Sequence, residues 1–479
     1  MKKTFYLTTT IPYVNAAPHI GFALEIVQAD LIARYQRLMG RDVFFNFGSD
    51  EHGVKIYRRA LEEGKNPQEY TDEYAEKFKA LRSALNLSYD AFVRTTDPHH
   101  KRAAQEFWKL CVAAGDIYKK NYQVKYCVGC ELEKTDSELV DGKCPLHPNL
   151  TIELIDEENY FFRFSKYQEP LREFYASHPD FVVPDFRLNE IRELLKKGLE
   201  DFSISRVKEK MPWGVAVPGD DTQVMYVWFD ALVNYISTLG WPEDTEKFEK
   251  FWGTKEYPNA LQFAGKDQVR QQTAMWQAML MSAQLPHTRQ VFIHGFITSG
   301  GQKMSKSLGN VIEPMGIVAE YGTDALRYYL LRHIHPFEDS DFTMEQFKEV
   351  YNANLANGLG NLCARIMQLA ETNLPEPVKV EFTGYPKEFT DLLDAFKFNQ
   401  AFDYIFARIQ ALDQTITQTA PFKVVKTNPE EGRDLITELV KELAAIDLLL
   451  EPFMPETSQK IIDAIMANKK PTNLFVRKD

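Results

Sequence analysis

Four potential metal ligands are grouped within one short stretch of the chain. Cys127 and Cys130 are separated by two residues, and after thirteen intervening residues Cys144 and His147 repeat that spacing. Thiolates and imidazole are preferred zinc donors, and two such turns can surround one ion tetrahedrally. The alternative is that the thiols are packed in a core and His147 is an ordinary loop histidine. The paired spacing favours Zn²⁺, and four protein ligands indicate a structural ion.

Two lysines lie in a glycine-flanked loop that follows a predicted strand. Lys303 and Lys306 belong to residues 300–310, with the sequence GGQKMSKSLGN. Such a loop can close and place two ammonium groups on a phosphate chain, although an isolated K-x-x-K is more often a solvated surface loop. His19 opens a predicted helix, whose free N–H groups and dipole attract phosphate, and Gly21 allows close approach.

An α/β pattern that is interrupted once must position these groups. A strand over residues 5–10 leads through a loop to a helix from His19 to about Met39, and a strand over 43–47 ends in the polar run GSDEHG. Polar residues at the carboxyl ends of parallel strands are where open α/β sheets bind ligands. From about Gly115 the chain predicts a β-rich insert that carries the cysteines. Alternation then returns, with predicted strands over 224–229, 260–264 and 290–296, and helices over 231–239 and 268–283.

The sequence of the C-terminal part predicts only helices. Beyond about Phe342, apolar residues recur at spacings of three and four, which is the pattern of an amphipathic helix. Further helices are predicted from about residues 389, 398, 430 and 455, with Pro421 and Pro429 between them. We therefore predict a nucleotide-binding domain in two halves, 1–115 and 224–342, a zinc insert over 116–223, and an α-helical domain over 343–479.

Composition sets the limits of this interpretation. The 479 residues, 44% of them hydrophobic, are enough for several globular domains and contain no low-complexity tract. A net charge of −12 argues against non-specific adhesion to nucleic acid, although local Lys and Arg patches would suffice for a tRNA. The absence of a secretion signal or an apolar run of ~18 residues leads us to expect a cytoplasmic protein without membrane contact. The end of the chain soon after the last predicted helix leads us to expect a monomer.

Several motifs carry a family resemblance. Residues 303–307, KMSKS, match a signature of class I aminoacyl-tRNA synthetases, and Pro18-His19-Ile20-Gly21 resembles the other signature, HIGH, with Phe22 where a second histidine is usual. Residues 10–13, 226–235 and 292–296 look specifically like methionyl-tRNA synthetases. This resemblance implies ATP-dependent activation of methionine to methionyl-adenylate and transfer to tRNA(Met). It also implies a Rossmann-like α/β catalytic domain split by a zinc-containing insert and followed by an all-α anticodon-binding bundle.

The resemblance further implies roles for individual residues. A polarizable thioether gains from aromatic contact, and Asp50 would hold the substrate ammonium, although Trp228 and Tyr235 could equally be core residues. Methionine would contact Ile11, Tyr13, Asp50, Trp228, Ala231, Leu232, Tyr235 and His294. ATP, with Mg²⁺, would contact Gly21, Phe22, Glu25, Gly265, Asp267 and Lys306. The catalytic residues would be His19, Lys303 and Lys306. The anticodon would contact Asn361, Arg365 and Phe422, the last standing where the family usually has tryptophan.

Three alternatives stay open at this point. Cysteinyl enzymes share the signatures but use zinc in the substrate pocket, whereas all four ligands here lie in the insert. Leucyl, isoleucyl and valyl enzymes normally carry a large editing insert, for which residues 115–224 leave little room. A tRNA-binding homologue without catalysis is suggested only by Phe22.

Overall fold

Three segments of the chain build each of two compact units. The computed structural model describes residues 3–134, 136–304, 309–381 and 384–478. The first unit comprises Met1–Pro18, Gln36–Ala80 and Ser88–His294, and the second comprises His19–Tyr35, Leu81–Leu87 and Gly295–Asp479. The four-part division derived from the sequence stays a prediction.

The N-terminal part alternates strands with helices as predicted. The helix expected from His19 to about Met39 is confirmed, shorter by one residue at each end. The helix that begins at Pro67 has a typical N-terminus. The Asn66 side chain caps it by accepting a hydrogen bond from the Gln68 N–H at 2.8 Å. Proline suits the first helical position because an N–H there would have no partner within the helix. The elements are β1 (Thr4–Thr8), α1 (Ile20–Leu38), β2 (Asp42–Ser49), α2 (Val54–Glu62), α3 (Pro67–Lys79), α4 (Leu81–Ala84), β3 (Ala91–Arg94) and α5 (Pro98–Ala113).

The insert is β-rich at its start and mixed further on. Its first three strands and β8 form an antiparallel sheet of order β5-β4-β6-β8, and a smaller sheet has the order β10-β11-β9. The elements are β4 (Ile117–Cys127), β5 (Leu132–Lys134), β6 (Glu153–Phe162), α6 (Gln168–Ser177), β7 (Val182–Val183), α7 (Asp185–Lys197), β8 (Phe202–Ser203), β9 (Ser205–Val207), β10 (Ala216–Val217) and β11 (Asp220–Met225), with 3-10 turns at Asp136–Glu138 and Phe164–Tyr167.

The strand predicted over residues 224–229 is wrong in its second half. β11 ends at Met225, Tyr226 is extended, and a helix begins at Val227. The run VMYVWF has high β propensity, but β11 pairs with β9 and β10 rather than with the parallel sheet, so its partners determine where it ends. The elements that follow are α8 (Val227–Leu232), α9 (Asn234–Ser237), α10 (Thr245–Phe251), β12 (Ala260–Gly265), a 3-10 turn at Lys266–Gln268, a π-helical turn at Gln271–Met275, α11 (Trp276–Ser282) and β13 (Gln290–His294).

One six-stranded parallel sheet organises the first unit. Its order is β3-β2-β1-β12-β13-β7, and every neighbouring pair is parallel. Strand β7 of the insert joins the edge of this sheet, a contribution that the sequence did not indicate. Because parallel strands end at one edge, the residues after β1, β2, β12 and β13 are brought to the same side. The Rossmann-like expectation is confirmed.

The second unit is mainly helical. After Phe342 the described residues contain helices and no strand, as predicted. Pro421 and Pro429 occupy the first positions of α18 and α19. No helix among the described residues is long and apolar enough to cross a membrane. The elements are β14 (Ile297–Ser299), β15 (Gln302–Lys303), α12 (Pro314–Tyr321), α13 (Thr323–Arg332), β16 (Ser340–Asp341), α14 (Met344–Val350), a π-helical segment at Tyr351–Gly360, α15 (Asn361–Asn373), α16 (Lys387–Asp394), α17 (Phe398–Thr419), α18 (Pro421–Thr427), α19 (Pro429–Leu450) and α20 (Pro455–Ala467).

Candidate functional site

The four predicted metal ligands converge. Cys130 Sγ lies 3.2 Å from His147 Nδ1 and 3.5 Å from Cys144 Sγ, and Cys127 Sγ lies 3.8 Å from His147 Nδ1. All four donor atoms lie within 4.8 Å of one another. Zinc–sulfur bonds of about 2.3 Å imply sulfur–sulfur separations of about 3.8 Å in a tetrahedral site. The donor set and its spacing therefore fit one tetrahedral metal ion, and we call residues 127–147 the knuckle.

Two hairpin turns position these ligands. Cys127 and Leu132 are register partners in the β4–β5 hairpin, so the chain turns back at once and carries Cys130 beside Cys127. A bridge between Val140 and Lys143 leads directly into Cys144. A Cβ atom at Gly129 would lie 2.5 Å from the His147 ring, so only glycine allows this histidine to approach.

A buried acidic pocket lies at the carboxyl edge of the parallel sheet. Tyr13, after β1, and Asp50, after β2, form an isolated parallel bridge. Asp50 is 3% exposed, and within the described part of the chain its Oδ1 has no hydrogen-bond partner. Burial raises the pKa of the Asp50 carboxyl well above its usual range, and the carboxylate of Asp230 raises it further. The Tyr13 hydroxyl is also buried without a partner among the described residues.

The side chains of Asp230 and His52 contact each other next to this pocket. His52 Nδ1 lies 2.6 Å from Asp230 Oδ2, and both side chains are almost fully buried. Asp230 Oδ1 has no hydrogen-bond partner in the described ranges, so the pocket has two carboxylates with unsatisfied oxygens and one imidazole. A buried carboxylate without a partner is costly, and a cationic ligand such as an ammonium group would relieve that cost. Sequence reasoning missed both residues, although the polar run after β2 contained a signal for His52.

The aromatic candidates divide into two groups. Tyr13 and Trp228 meet edge to face, with ring centroids 6.4 Å apart, in a small apolar cluster beside the acidic pocket. Tyr235 instead belongs to the main core, 5.8 Å from Trp276 between ring centroids, and Leu232 lies in the same core. Ala231 is buried nearby in sequence, and Ile11 is half-buried.

Three further candidates meet where β12 and β13 end. Gly265 and His294 are register partners. A Cβ atom at Gly265 would lie 2.9 Å from Asp267 Oδ1 and 3.5 Å from His294 Cε1, so a side chain there would displace the Asp267 carboxylate and contact His294. His294 is buried, whereas Asp267 is exposed.

In the second unit, His19 caps the start of α1. Its Nδ1 accepts a hydrogen bond from the Gly21 N–H at 3.1 Å. Phe22 packs on the imidazole, with ring centroids 4.4 Å apart, so the aromatic residue that replaces the usual histidine holds the His19 ring. Glu25, one turn further along, is 9% exposed.

The base of the lysine loop is a hairpin. Thr298 and Lys303 are register partners in the β14–β15 pair. Asp341 Oδ1 accepts hydrogen bonds from the Gly301 N–H at 2.8 Å and from the Thr298 hydroxyl at 2.7 Å. Lys306, with the rest of residues 305–308, lies outside the described residues.

The anticodon candidates lie on helices of the second unit. Asn361 and Arg365 are four residues apart on α15 and so share one face. Asn361 is exposed, and Arg365 donates to Asp413 on α17 at 2.6 Å. Phe422, at the start of α18, is 43% exposed.

Comparison with known proteins decides the family. A family model described as "tRNA synthetases class I (M)" matches residues 5–152 and 148–367. The chain belongs to this family. Among relatives of this class I synthetase, the methionine–tRNA ligase of Nostoc sp. is 44% identical, over 96% of this chain and 89% of its own length. The methionine–tRNA ligase of Thermotoga maritima is 41% identical, over 98% of this chain and 76% of its own length. A crystal structure of Mycobacterium tuberculosis methionyl-tRNA synthetase bound by methionyl-adenylate has a TM-score of 0.91 at 34% identity, covering 99% of this chain and all of that one. The family resemblance stated from the sequence is confirmed.

Proposed function

We propose that this chain is a methionine–tRNA ligase, which activates methionine with ATP to methionyl-adenylate and transfers the methionyl group to tRNA(Met). The observation that carries the proposal is its similarity, over nearly its whole length, to a synthetase bound by methionyl-adenylate. The buried acidic pocket beside an aromatic edge agrees with an amino acid that has an apolar side chain.

The test is amino-acid-dependent ATP–pyrophosphate exchange with each of the twenty standard amino acids. We expect exchange with methionine and no comparable exchange with the others, cysteine included. Exchange with cysteine but not methionine would favour the cysteinyl alternative. Adenylate formation with none of them would favour the tRNA-binding homologue without catalysis.

Asp50 is proposed to bind the methionine ammonium group. Its buried carboxylate has an oxygen without a partner among the described residues, and an ammonium there would form a charge-assisted hydrogen bond. Tyr13 and Trp228 would contact the thioether with their ring edges and faces. The remaining methionine residues proposed are Ile11, Ala231, Leu232, Tyr235 and His294.

ATP is proposed to interact with residues at the strand ends, at the start of α1 and in the lysine loop. Near the strand ends, Gly265 allows close approach and the exposed Asp267 carboxylate accepts hydrogen bonds from the ribose. His19, Gly21, Phe22 and Glu25 are proposed for the start of α1, where N–H groups favour phosphate. Lys303 and Lys306 would neutralise charge on the leaving pyrophosphate, with Mg²⁺ accompanying ATP.

Lys306→Ala should slow methionine-dependent ATP–pyrophosphate exchange strongly, with little change in methionine affinity. Near-normal exchange would contradict this role.

The knuckle is proposed to hold one Zn²⁺. Three cysteines and one histidine leave no coordination position for a substrate, so its contribution is to stabilise the local fold. Metal analysis of the purified protein should return about one zinc per chain. A value near zero, with the cysteines reduced, would contradict the assignment.

The helical part is proposed to read the anticodon through Asn361, Arg365 and Phe422. Asn and Arg side chains can hydrogen-bond splayed bases, and an exposed phenyl ring can stack on one. We also propose that the chain has the four-part domain division given above, is a monomer and is located in the cytoplasm. Light scattering coupled to size-exclusion chromatography tests the monomer, and a dimer mass would contradict it.

A further inference from the structure

Glu131, the residue after the second cysteine of the knuckle, is buried although it carries a carboxylate. It is 1% exposed, and its backbone has a φ of 52°, in the left-handed region. Oε1 accepts a hydrogen bond from the Lys55 N–H at 2.9 Å, and Oε2 accepts one from the Tyr126 hydroxyl. A buried carboxylate loses its hydration and depends on such donors. Its position is therefore tied closely to α2 and β4.

The backbone carbonyl of Glu131 contacts the proposed methionine pocket. It accepts a hydrogen bond from the Trp228 indole N–H, with an N–O distance of 3.2 Å. An indole has only this one donor, and a buried donor without an acceptor is unfavourable. The orientation of the Trp228 ring therefore depends on where the knuckle holds this carbonyl.

Lys55 makes a second connection between the knuckle and the pocket. Its Nζ donates to the carbonyl of Gly129, in the turn between Cys127 and Cys130, at 3.4 Å. The same ammonium lies 5.8 Å from the centroid of the Tyr13 ring, within the range of a cation–π contact. Each of the two aromatic residues proposed for the thioether is thus contacted by a group that the knuckle holds.

We propose that the knuckle positions the aromatic wall of the methionine pocket, with Glu131 as the positioning residue. This inference rests on the proposed function, because it takes Tyr13 and Trp228 as walls of the methionine site. A metal bound by Cys130 fixes the chain immediately before Glu131, which in turn fixes the carbonyl that orients the indole. Groups that orient a site from outside the direct contacts often have large effects on affinity.

Substitutions at Glu131 test the link. Glu131→Ala should raise the KM for methionine in ATP–pyrophosphate exchange about tenfold, with kcat and the KM for ATP within about twofold. Glu131→Gln keeps an oxygen that can accept from the Lys55 N–H and should recover most of that loss. Glu249→Ala, exposed on α10, is the matched control and should behave like the unsubstituted protein. An unchanged KM in a Glu131→Ala protein that retains its zinc would overturn the proposal.

Metal removal from the unsubstituted protein provides a readout other than activity, and it stays informative if Glu131→Ala fails to fold. Methionine is titrated without ATP while tryptophan fluorescence is followed, and Trp228→Phe identifies the signal of the indole. We expect the Kd for methionine to rise about tenfold after chelation and to return when zinc is added. Equal Kd values with and without zinc would overturn the proposal.

Failure of the proposed function would look different from failure of this link. If Trp228→Ala leaves the KM for methionine unchanged, or if methionine supports no exchange, the pocket assignment is wrong and the inference falls with it. If Trp228→Ala raises the KM while Glu131 and zinc have no effect, only the link between knuckle and pocket is rejected.

Discussion

Asp50 combines a high degree of burial with an incompletely satisfied carboxylate. An ordinary buried acid is paired or fully hydrogen-bonded, because desolvation of its charge is costly. Here a second carboxylate, Asp230, lies near it, and burial together with this charge raises the pKa of Asp50 well above its usual range. His52 contacts the Asp230 carboxylate, with 2.6 Å between Nδ1 and Oδ2. Such an arrangement is unfavourable for stability and suited to a cationic ligand.

Replacing Asp50 by asparagine tests this residue directly. Asp50→Asn keeps the shape and removes the charge, so the KM for methionine should rise on the order of tenfold to a hundredfold, the range for a lost charged hydrogen bond. The KM for ATP should change little. Exchange kinetics with varied methionine measure both. Asp463→Asn, exposed on α20, is the matched control, and an Asp50→Asn protein with the methionine KM of that control would refute the role.

At the scale of elements, the knuckle is a short hairpin with little core of its own. With the proposed zinc bound, the ligands would supply most of its cross-links, so the knuckle should depend on that metal for a defined structure. Removal of the metal should therefore disorder only the knuckle. The parallel sheet, which has its own large core, should persist.

Cys144→Ser should remove bound zinc from the protein. We expect the zinc content to fall from about one per chain to below about a fifth, since a hydroxyl is a poor replacement for a thiolate. Atomic absorption on the dialysed protein measures this. Cys363→Ala, which alters a buried thiol of α15 outside the knuckle, is the control and should keep its zinc. Equal zinc in the two variants would rule out the ligand role of Cys144.

Helix α19 carries a buried acid inside the helical core. Burial raises the pKa of Asp447 to about 8, the Ser458 side chain opposes the shift, and Glu451 adds to it. Because the folded value exceeds that of the unfolded chain, the stability contributed by protonated Asp447 is fully present below about pH 4 and is lost as the pH rises to about 8. The free energy of unfolding should fall by up to about 1.4 kcal/mol per pH unit in this window.

Asp447→Asn should remove that pH dependence. The variant should be more resistant to urea than the unsubstituted protein at pH 8 and should differ from it less at pH 5, because asparagine carries no charge at either value. Urea midpoints followed by circular dichroism give the comparison. Asp434→Asn, exposed on the same helix, should track the unsubstituted protein. An unchanged difference between the two pH values in Asp447→Asn would contradict the assignment.

At the scale of the whole molecule, the two half-reactions make different demands. Methionyl-adenylate formation needs methionine and ATP, whereas transfer also needs the tRNA, whose anticodon the helical part is proposed to read. A change in the helical part should therefore affect the second half-reaction and leave the first unchanged.

Phe422→Ala should raise the KM for tRNA(Met) in aminoacylation about tenfold, because loss of a stacked ring costs about 1–3 kcal/mol. ATP–pyrophosphate exchange without tRNA should stay normal. Phe422→Trp should lower the KM or leave it unchanged, since indole offers more stacking area. Phe186→Ala, which removes a phenyl ring of equal 43% exposure from α7, is the control. A normal tRNA KM in Phe422→Ala would exclude the stacking role.

Motifs with local geometry could be predicted well. The four ligands of the knuckle follow from two repeated turn spacings, because a hairpin turn brings residues three apart together without help from the rest of the chain. The start of α1 and the helices after Phe342 follow from local signals and from periodicity. Segments with long-range partners were harder: the end of β11 depends on β9 and β10, and β7 is too short to be detected without the sheet edge that it joins.

The sequence alone determined the family resemblance, the metal ligands and the alternation of strands and helices, because each is encoded in residues close along the chain. Only the tertiary structure decided which candidates meet. It brings the Asp230–His52 pair close to Asp50, sets the rings of Tyr13 and Trp228 edge to face, and connects Glu131 to the Trp228 indole. The His52–Asp230 contact alone joins residues 178 positions apart. Nothing in local spacing specifies these contacts, since they depend on sheet order and on how the insert packs within the first unit.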